Sequence, residues 1–418
     1  MTTELDTTFI PTLEAVEEAR EIVARTTRPT LLDSANFLTE YVGSPVHVKC
    51  ENMQRTGSYK IRGATNRLAK LSPAERERGV VAASAGNHAQ DVAYAARELG
   101  IAATIYMPLG VPIPKLEATR NYGADVVLHG ATFNETLAAA QAFCDETGAT
   151  FIHPYNHPDV ITGQATLGAE ILEQLPEVET VIVPIGGGGL AAGVASMVKQ
   201  TAEREGRRIR VIGVQSANSA AFVDSIKAGR PVKIDAKPTI ADGIAVNEPG
   251  SLTFELVRRY VDEIVTVSDD DIARAILLLL ERGKLLVEPA GATPIAAMLA
   301  GQIRDTGTTA AILSGGNIDP MMLEKVISQG LTASSRYMRI IINLRDVPGH
   351  LARIATILAD INANVIEVMH TRHNKGLQIT HVELEISVET RGEDHAHLVL
   401  DALRAAGYEP RIDRDATL

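Results

Sequence analysis

From about Pro45 to Gln329 the chain alternates short runs of apolar, mostly β-branched residues with longer stretches of helical length and composition. No other feature narrows the choice of fold as much. The runs are Val46–Lys49, Val80–Ser84, Ala102–Met107, Val126–His129, Val181–Ile185, Arg208–Gln215, Ile264–Val267 and Thr309–Leu313. Many are apolar along most of their length, as strands covered on both faces of a parallel sheet must be. Segments such as Gln90–Leu99, Phe133–Glu146 and Ile272–Glu281 supply the covering helices. Alternation on this scale predicts an open α/β sheet. The strands are too many for one small sheet, and a break near His153–Pro158 predicts two lobes with a cleft between them. The smaller lobe is expected over about residues 50–153, inside a first domain of residues 1–330.

After Gly330 the rhythm changes. Leu331–Ser335 is small and polar, so a linker is expected over residues 331–336. Arg339–Leu344 then reads as a strand, and Leu351, Ile354, Leu358 and Ile361 share one helical face. A strand near Val365–Arg372, a turn at Asn374–Gly376 and a strand at Thr380–Val388 follow. In the last, Val382, Leu384, Ile386 and Val388 alternate with Glu383, Glu385, Ser387 and Glu389, which marks a sheet buried on one face. A helix from Glu393 to Ala406 and a strand at Tyr408–Ile412 complete a βαββαβ order. Residues 337–418 are therefore expected to form a ferredoxin-like domain.

Composition removes several function classes. The formal net charge of −12 makes nucleic acid or an anionic membrane a poor partner. Aromatic residues are only 4% with no Trp, which leaves little for stacking on single strands. Cys50 and Cys144 cannot build a disulfide framework or a four-cysteine zinc site, and no metal is expected. Met1–Phe9 carries Glu4 and Asp6 and does not read as a secretory leader. The apolar stretch at Ile276–Leu280 is too short to span a bilayer. A cytoplasmic protein is expected.

Four segments could carry chemistry. In Arg55-Thr56-Gly57-Ser58-Tyr59-Lys60-Ile61-Arg62-Gly63-Ala64, a lysine opens a helix among amides that disfavour its charge, which suits an imine-forming amine. A solvated helix lysine is the competing explanation. Ser84-Ala85-Gly86-Asn87-His88 joins a strand to a helix, where amides bind carboxylate or phosphate; a plain N-cap with a turn glycine would use the same residues. Gly186-Gly187-Gly188-Gly189-Leu190 exposes successive N–H groups, a cradle for phosphate. Gly186, Gly188 and Ala191 also fit a dinucleotide fingerprint, but the next strand ends in Gln215-Ser216 without the acidic residue that reading requires. Ser314-Gly315-Gly316-Asn317 follows an apolar strand and could present a hydroxyl to a ligand or cap a helix.

In order and spacing these four segments resemble the threonine dehydratase branch of the fold type II pyridoxal-phosphate enzymes, over about residues 10–330. That resemblance implies a two-lobed, tryptophan synthase β-like fold. The tail resembles an ACT regulatory domain, Asp346-Val347-Pro348-Gly349-His350-Leu351 matching its D-x-P-G-x-L turn. Together they look like the medium-length, single-ACT form of the family. Carried over, Lys60 would hold pyridoxal 5'-phosphate covalently and move the α-proton, with Tyr59 beside the ring. Gly186, Gly187, Gly188, Gly189 and Leu190 would hold the phosphate, Asn87 the ring hydroxyl, and Ser314 would face the pyridine nitrogen. Ser84, Ala85, Gly86, Asn87 and His88 would form the substrate-carboxylate loop. Asp346, Gly349, His350 and Leu351 would form an effector site.

The implied reaction is elimination of water from L-threonine, giving 2-oxobutanoate and ammonia, with weaker action on L-serine. Feedback by an amino acid such as L-isoleucine and a homodimer or homotetramer are implied as well. Racemases of this branch carry a serine where this chain has Ala85. Asp242-Gly243 and Glu288 sit in segments similar to the family's pattern, and either could face a cation. Rival expectations are a serine or 3-hydroxyaspartate dehydratase, a sulfhydrylase, or a non-catalytic amino-acid sensor. The Asn loop disfavours the sulfhydrylase, and the intact Lys60 with all four segments disfavours the sensor.

Overall fold

The computed structural model describes residues 7–372, 378 and 380–413, in two compact units that divide between Asp319 and Pro320. The turn expected at Asn374–Gly376 lies outside the described residues.

The first unit holds two sheets. In the larger, the strands run Leu32–Ser34, Val46–Cys50, Thr309–Leu313, Thr180–Pro184, Arg210–Ser216 and Glu263–Val267 in spatial order. All neighbours are parallel except the first pair. Thr180–Pro184 and Thr309–Leu313 are buried at every residue, because helices cover both faces and leave no side for polar alternation. The smaller sheet is all parallel, in the order Asp125–Leu128, Ala103–Met107, Val80–Ala83, Thr150–Phe151. Each sheet has its own core. Val181, Val183, Val211 and Ile312 pack with Leu190, Phe222 and Phe254 in the larger lobe, and Val80, Ile105 and Met107 pack with Leu68, Val92 and Ala96 in the smaller.

Two edge strands leave no mark in the hydrophobic pattern. Leu32–Ser34 and Thr150–Phe151 are three and two residues long, too short to show a period. The helix expected from Gln90 starts three residues earlier, as Asn87–Leu99. That places Asn87 and His88 in its first turn.

The helix Lys60–Ala69 is anchored by charges with almost no exposure. Arg62 donates to Glu51 and Glu170 at 2.8 Å each, and Lys49 Nζ meets Glu170 at 2.6 Å. Two cations balance two carboxylates, and the Thr30 hydroxyl gives Glu51 a further bond at 2.6 Å. Unpaired, any one of these groups would be costly to bury, so the cluster locks the strand Val46–Cys50 and the helices Lys60–Ala69 and Pro158–Gln174 into one register.

The second unit begins with the helix Pro320–Ala333 and continues as strands Tyr337–Arg345, Asn364–Thr371, His381–Glu389 and Pro410–Ile412 with helices His350–Asp360 and Glu393–Ala405. The linker expected at 331–336 is a correction: Leu331–Ala333 form the last helical turn, and residues 320–330 group with the tail rather than with the first unit. Pro320 opens that helix, and a small, polar composition is compatible with a final turn as well as with a loop. The sheet is antiparallel throughout, in the order Asn364–Thr371, His381–Glu389, Tyr337–Arg345, Pro410–Ile412. Ile340, Ile342, Leu384 and Ile386 meet Ile354, Leu358, Val399 and Leu403 of the two helices. This is the βαββαβ arrangement expected. Among the described residues no helix is long and apolar enough to cross a membrane.

Candidate active site

The four segments converge on one cleft. Tyr59 and Lys60, Asn87, Leu190 and Ser314 all line it, joined by Gly243, Ile244 and Glu288. Each segment leaves the C-terminal end of a strand, where an open α/β sheet exposes backbone groups to a ligand.

The first and fourth segments are zipped together. Tyr59 N–H donates to the Ser314 carbonyl at 3.1 Å, Gly316 N–H donates to the Gly57 carbonyl at 2.9 Å, and Ser58 bridges Gly315. Gly57 has φ +79°, and a Cβ there would sit 2.3 Å from Asn317 Oδ1, so the turn tolerates no side chain. Asn317 Nδ2 donates to the Thr56 carbonyl at 2.7 Å and to Asn87 Oδ1 at 2.9 Å. Asn87 Nδ2 in turn donates to Glu288 Oε1 at 2.7 Å. This chain fixes the Asn87 amide and leaves one of its two N–H hydrogens for a ligand. The Ser314 hydroxyl has no partner among the described residues.

Glu288 stands at the residue before the helix Pro289–Leu299, makes no capping bond with its side chain, and is 6% exposed. Burial, then Asp242, pushes its carboxyl up to about 7, against the opposing pull of Lys60, Lys115 and the Asn87 amide. Asp242 faces Lys115 at 3.4 Å across the cleft mouth. Each carboxylate is thus answered by a protein donor. No cluster of three His, Cys, Asp or Glu side chains able to hold a metal occurs among the described residues.

Each glycine of the tetraglycine loop has a steric reason. A Cβ would meet Ile244 at Gly186, the Tyr155 ring at Gly187, Phe222 and Thr253 at Gly188, and Tyr155 again at Gly189, all within 3.0 Å. The Thr253 hydroxyl donates to the Gly187 carbonyl at 2.7 Å and holds the loop still. The loop then feeds the helix Gly189–Arg204, which has no side-chain cap. The N–H groups from Gly186 to Leu190 find no hydrogen-bond acceptor among the described residues. A row of free donors at a helix N-terminus is a site for an anion.

In the Asn loop, Ser84 Oγ accepts from Gly86 N–H at 3.1 Å, while the N–H groups of Ala85, Asn87 and His88 find no acceptor among the described residues. The His88 ring points elsewhere. Its Nε2–H donates to the Ile152 carbonyl at 2.8 Å, and burial pushes the imidazole down to about 3. It is a neutral structural side chain, so only its main chain belongs to the loop.

Asn317, Tyr155, Thr253 and Asp91 were not among the residues singled out from the sequence. Asn317 lies within the segment Ser314–Asn317, and Asp91 stands four residues after Asn87 in a helix that also carries Ala89, Ala93, Ala95 and Ala96. Both signals were readable. Nothing local marks Tyr155 or Thr253, whose role comes from packing beneath a distant loop.

Residues 23–315 match the family model described as "Pyridoxal-phosphate dependent enzyme". The chain is 46% identical to the L-threonine ammonia-lyase of Thermotoga maritima, over 96% of this chain and 99% of that one. Two solved structures superpose with a TM-score of 0.71. One is a processed threonine deaminase isoform from Solanum lycopersicum, 36% identical, covering 77% of this chain and 96% of that one. The other is maize serine racemase, 34% identical, covering 78% and 99%.

Proposed function

The chain belongs to the pyridoxal-phosphate dependent enzyme family, and from that premise we propose that it is an L-threonine ammonia-lyase, converting threonine to 2-oxobutanoate and ammonia. One observation carries the site assignment: Lys60, Leu190 at the end of the glycine loop with its free amides, the half-used Asn87 amide and Ser314 line the same cleft. These residues fit pyridoxal phosphate. The free amides would hold its phosphate, the remaining Asn87 N–H its ring hydroxyl, and Ser314 its ring nitrogen, with Tyr59 beside the ring. The bound cofactor supplies an electron sink for the pair released when the α-proton leaves. Lys60 would anchor it and carry that proton, and Ser84 with the amides of Ala85, Asn87 and His88 would grip the substrate carboxylate.

A neutral hydroxyl at Ser314 does not enforce protonation of the ring nitrogen as a carboxylate would. The sink is milder, which favours elimination over transamination. Ala85 has no proton to give, so the face of the substrate opposite Lys60 lacks a side-chain acid or base in this loop. That favours a lyase over a racemase, with L-serine as the weaker substrate.

In the second unit we propose an amino-acid effector site at the turn before the helix His350–Asp360. Gly349 caps that helix with φ +103° and no side-chain bond, leaving its first amides for a carboxylate. Asp346 Oδ2 is held by Arg372 at 3.1 Å and His350 Nδ1 by the Tyr408 hydroxyl at 3.2 Å, which stiffens the turn. L-isoleucine is the proposed effector, acting in a homodimer or homotetramer. Initial rates of 2-oxo acid formation on L-threonine and L-serine, with and without each branched-chain amino acid, test both readings. Threonine should win, and isoleucine should change its apparent affinity ~5–150-fold. No 2-oxo acid from threonine would overturn the assignment, and rates indifferent to every amino acid would leave the second unit without a sensory role.

A further inference from the structure

Asp91 lies in the middle of the helix Asn87–Leu99 with no solvent exposure. Its neighbours along the helix, Val92, Ala93 and Ala95, are core residues, so an alanine there would avoid the desolvation a carboxyl suffers. One oxygen, Oδ2, accepts from the Ser58 hydroxyl at 2.8 Å. The other, Oδ1, has no hydrogen-bond partner of normal geometry, and neither has the buried hydroxyl of Thr56. Ser58 stands two residues before Lys60, and its oxygen also lies 3.4 Å from the Lys60 N–H. Four residues back along the same helix, Asn87 holds Glu288. One helix face thus places two buried carboxyl groups around the cleft that Lys60 lines.

We propose that Asp91 is a positioning residue for Lys60: its carboxyl clamps Ser58 beneath the start of the lysine-bearing helix and sets a charge on the buried side of the cleft that Lys60 lines. The inference rests on Lys60 being the working amine of the site. Several groups face Asp91. Burial, first, pushes its carboxyl up to about 7 with help from Glu288, against the Thr56 and Ser58 hydroxyls and Lys60, which favour the ionised form. Tyr59 and Tyr122 feel its charge in turn. Arg97, stacked 5.0 Å over Tyr94 and 5.7 Å over Tyr122, is a further cation on that side. A carboxyl poised near neutrality can switch the charge beside Lys60 over the working pH range.

The test uses the full-length chain stripped of cofactor, so that Lys60 is free. Acetic anhydride in trace amount labels amines in their neutral form, and mass spectrometry of the Lys60 peptide across pH gives the inflection for that one residue. In Asp91→Asn the Ser58 bond can persist but the charge is gone, and the inflection should fall by about one unit or more, a tenfold rise in free amine at fixed pH. Ser58→Ala removes a donor that favours ionised Asp91 and should move the inflection the same way by less. An unmoved Lys60 inflection in folded Asp91→Asn would overturn the proposal. Should that variant fail to fold, an unmoved inflection in Ser58→Ala would do so. Labelling needs no turnover, so an enzyme inactive on threonine would sink the functional reading and leave this test standing.

Discussion

Glu288→Gln should make the protein less sensitive to rising pH. Burial, then Asp242, pushes the Glu288 carboxyl from an ordinary 4.5 up to about 7 in the folded chain. The folded state therefore binds a proton more tightly than the unfolded state. Below about pH 4 both states are protonated and Glu288 is neutral for stability. As pH rises through the window to about 7, the unfolded chain gains by ionising and the folded chain does not, so stability is lost. At 1.36 kcal/mol per unit, the loss between pH 5 and pH 8 is ~2–3 kcal/mol. The substituted glutamine keeps an oxygen to accept from Asn87 Nδ2 and carries no proton to exchange. Variant minus wild type should thus be small at pH 5 and larger by ~2–3 kcal/mol at pH 8, a gain of several degrees in melting temperature. His88, pushed down to about 3, and His153 and His157, pushed down to about 4, act in the opposite sense as pH falls. They shape the absolute profile but cancel in the difference. Thermal unfolding of cofactor-free protein at pH 5, 6, 7 and 8 provides the measurement. A difference that stays flat across that range would refute the reasoning, since it would mean that Glu288 is ionised in the folded state throughout.

Lys60→Ala should abolish the visible absorbance of bound cofactor and cut turnover by ~10³-fold or more, read by spectrophotometry and rates; near-wild-type rates would dismantle the site assignment. Ala85→Ser puts a hydroxyl in the Asn loop and should produce D-serine from L-serine during turnover, where the wild type produces little; chiral analysis of residual serine decides. Gly188→Ala should weaken cofactor binding at least tenfold and destabilise the chain by ~2–5 kcal/mol, from a left-handed residue and overpacking against Phe222 and Thr253. Equilibrium binding and melting curves would show it, and wild-type values would mean that the loop can relax. Arg62→Met strands Glu51 beneath the lysine helix, leaving Glu170 to Lys49, and should cost ~3–5 kcal/mol, whereas a loss under ~1 kcal/mol would mean that water reaches the cluster.

The sheet and its main strands were legible because burial on both faces writes itself as continuous apolar runs. The four candidate segments were legible because each sits where a strand hands over to a helix through small residues. What escaped was geometry made by parts of the chain far apart in sequence. Tyr155 and Thr253 support the glycine loop from distant segments on either side of it, and no local pattern records that. The last turn of the helix Pro320–Ala333 reads as a linker in the sequence because small polar residues serve a last turn and a linker equally well.

The glycine loop shows where sequence logic and structure part company. Four consecutive glycines invite a phosphate because a plain turn rarely needs so many. Yet Tyr155, Ile244, Phe222 and Thr253 would exclude a Cβ at every one of them, so packing alone accounts for the composition. The glycines therefore do not distinguish an anion site from a crowded turn. The distinction lies in the hydrogen bonds. A turn that glycine merely made possible would spend its N–H groups on neighbouring carbonyls, as the Ser58–Gly315 bridge does on the other side of the cleft. From Gly186 to Leu190 the carbonyl side is held by Thr253 while the N–H groups have no acceptor among the described residues, and a helix without a side-chain cap begins behind them. Buried donors left in that state cost stability unless a ligand answers them, so the loop fits an anionic group held beside Lys60 better than it fits a connection between a strand and a helix.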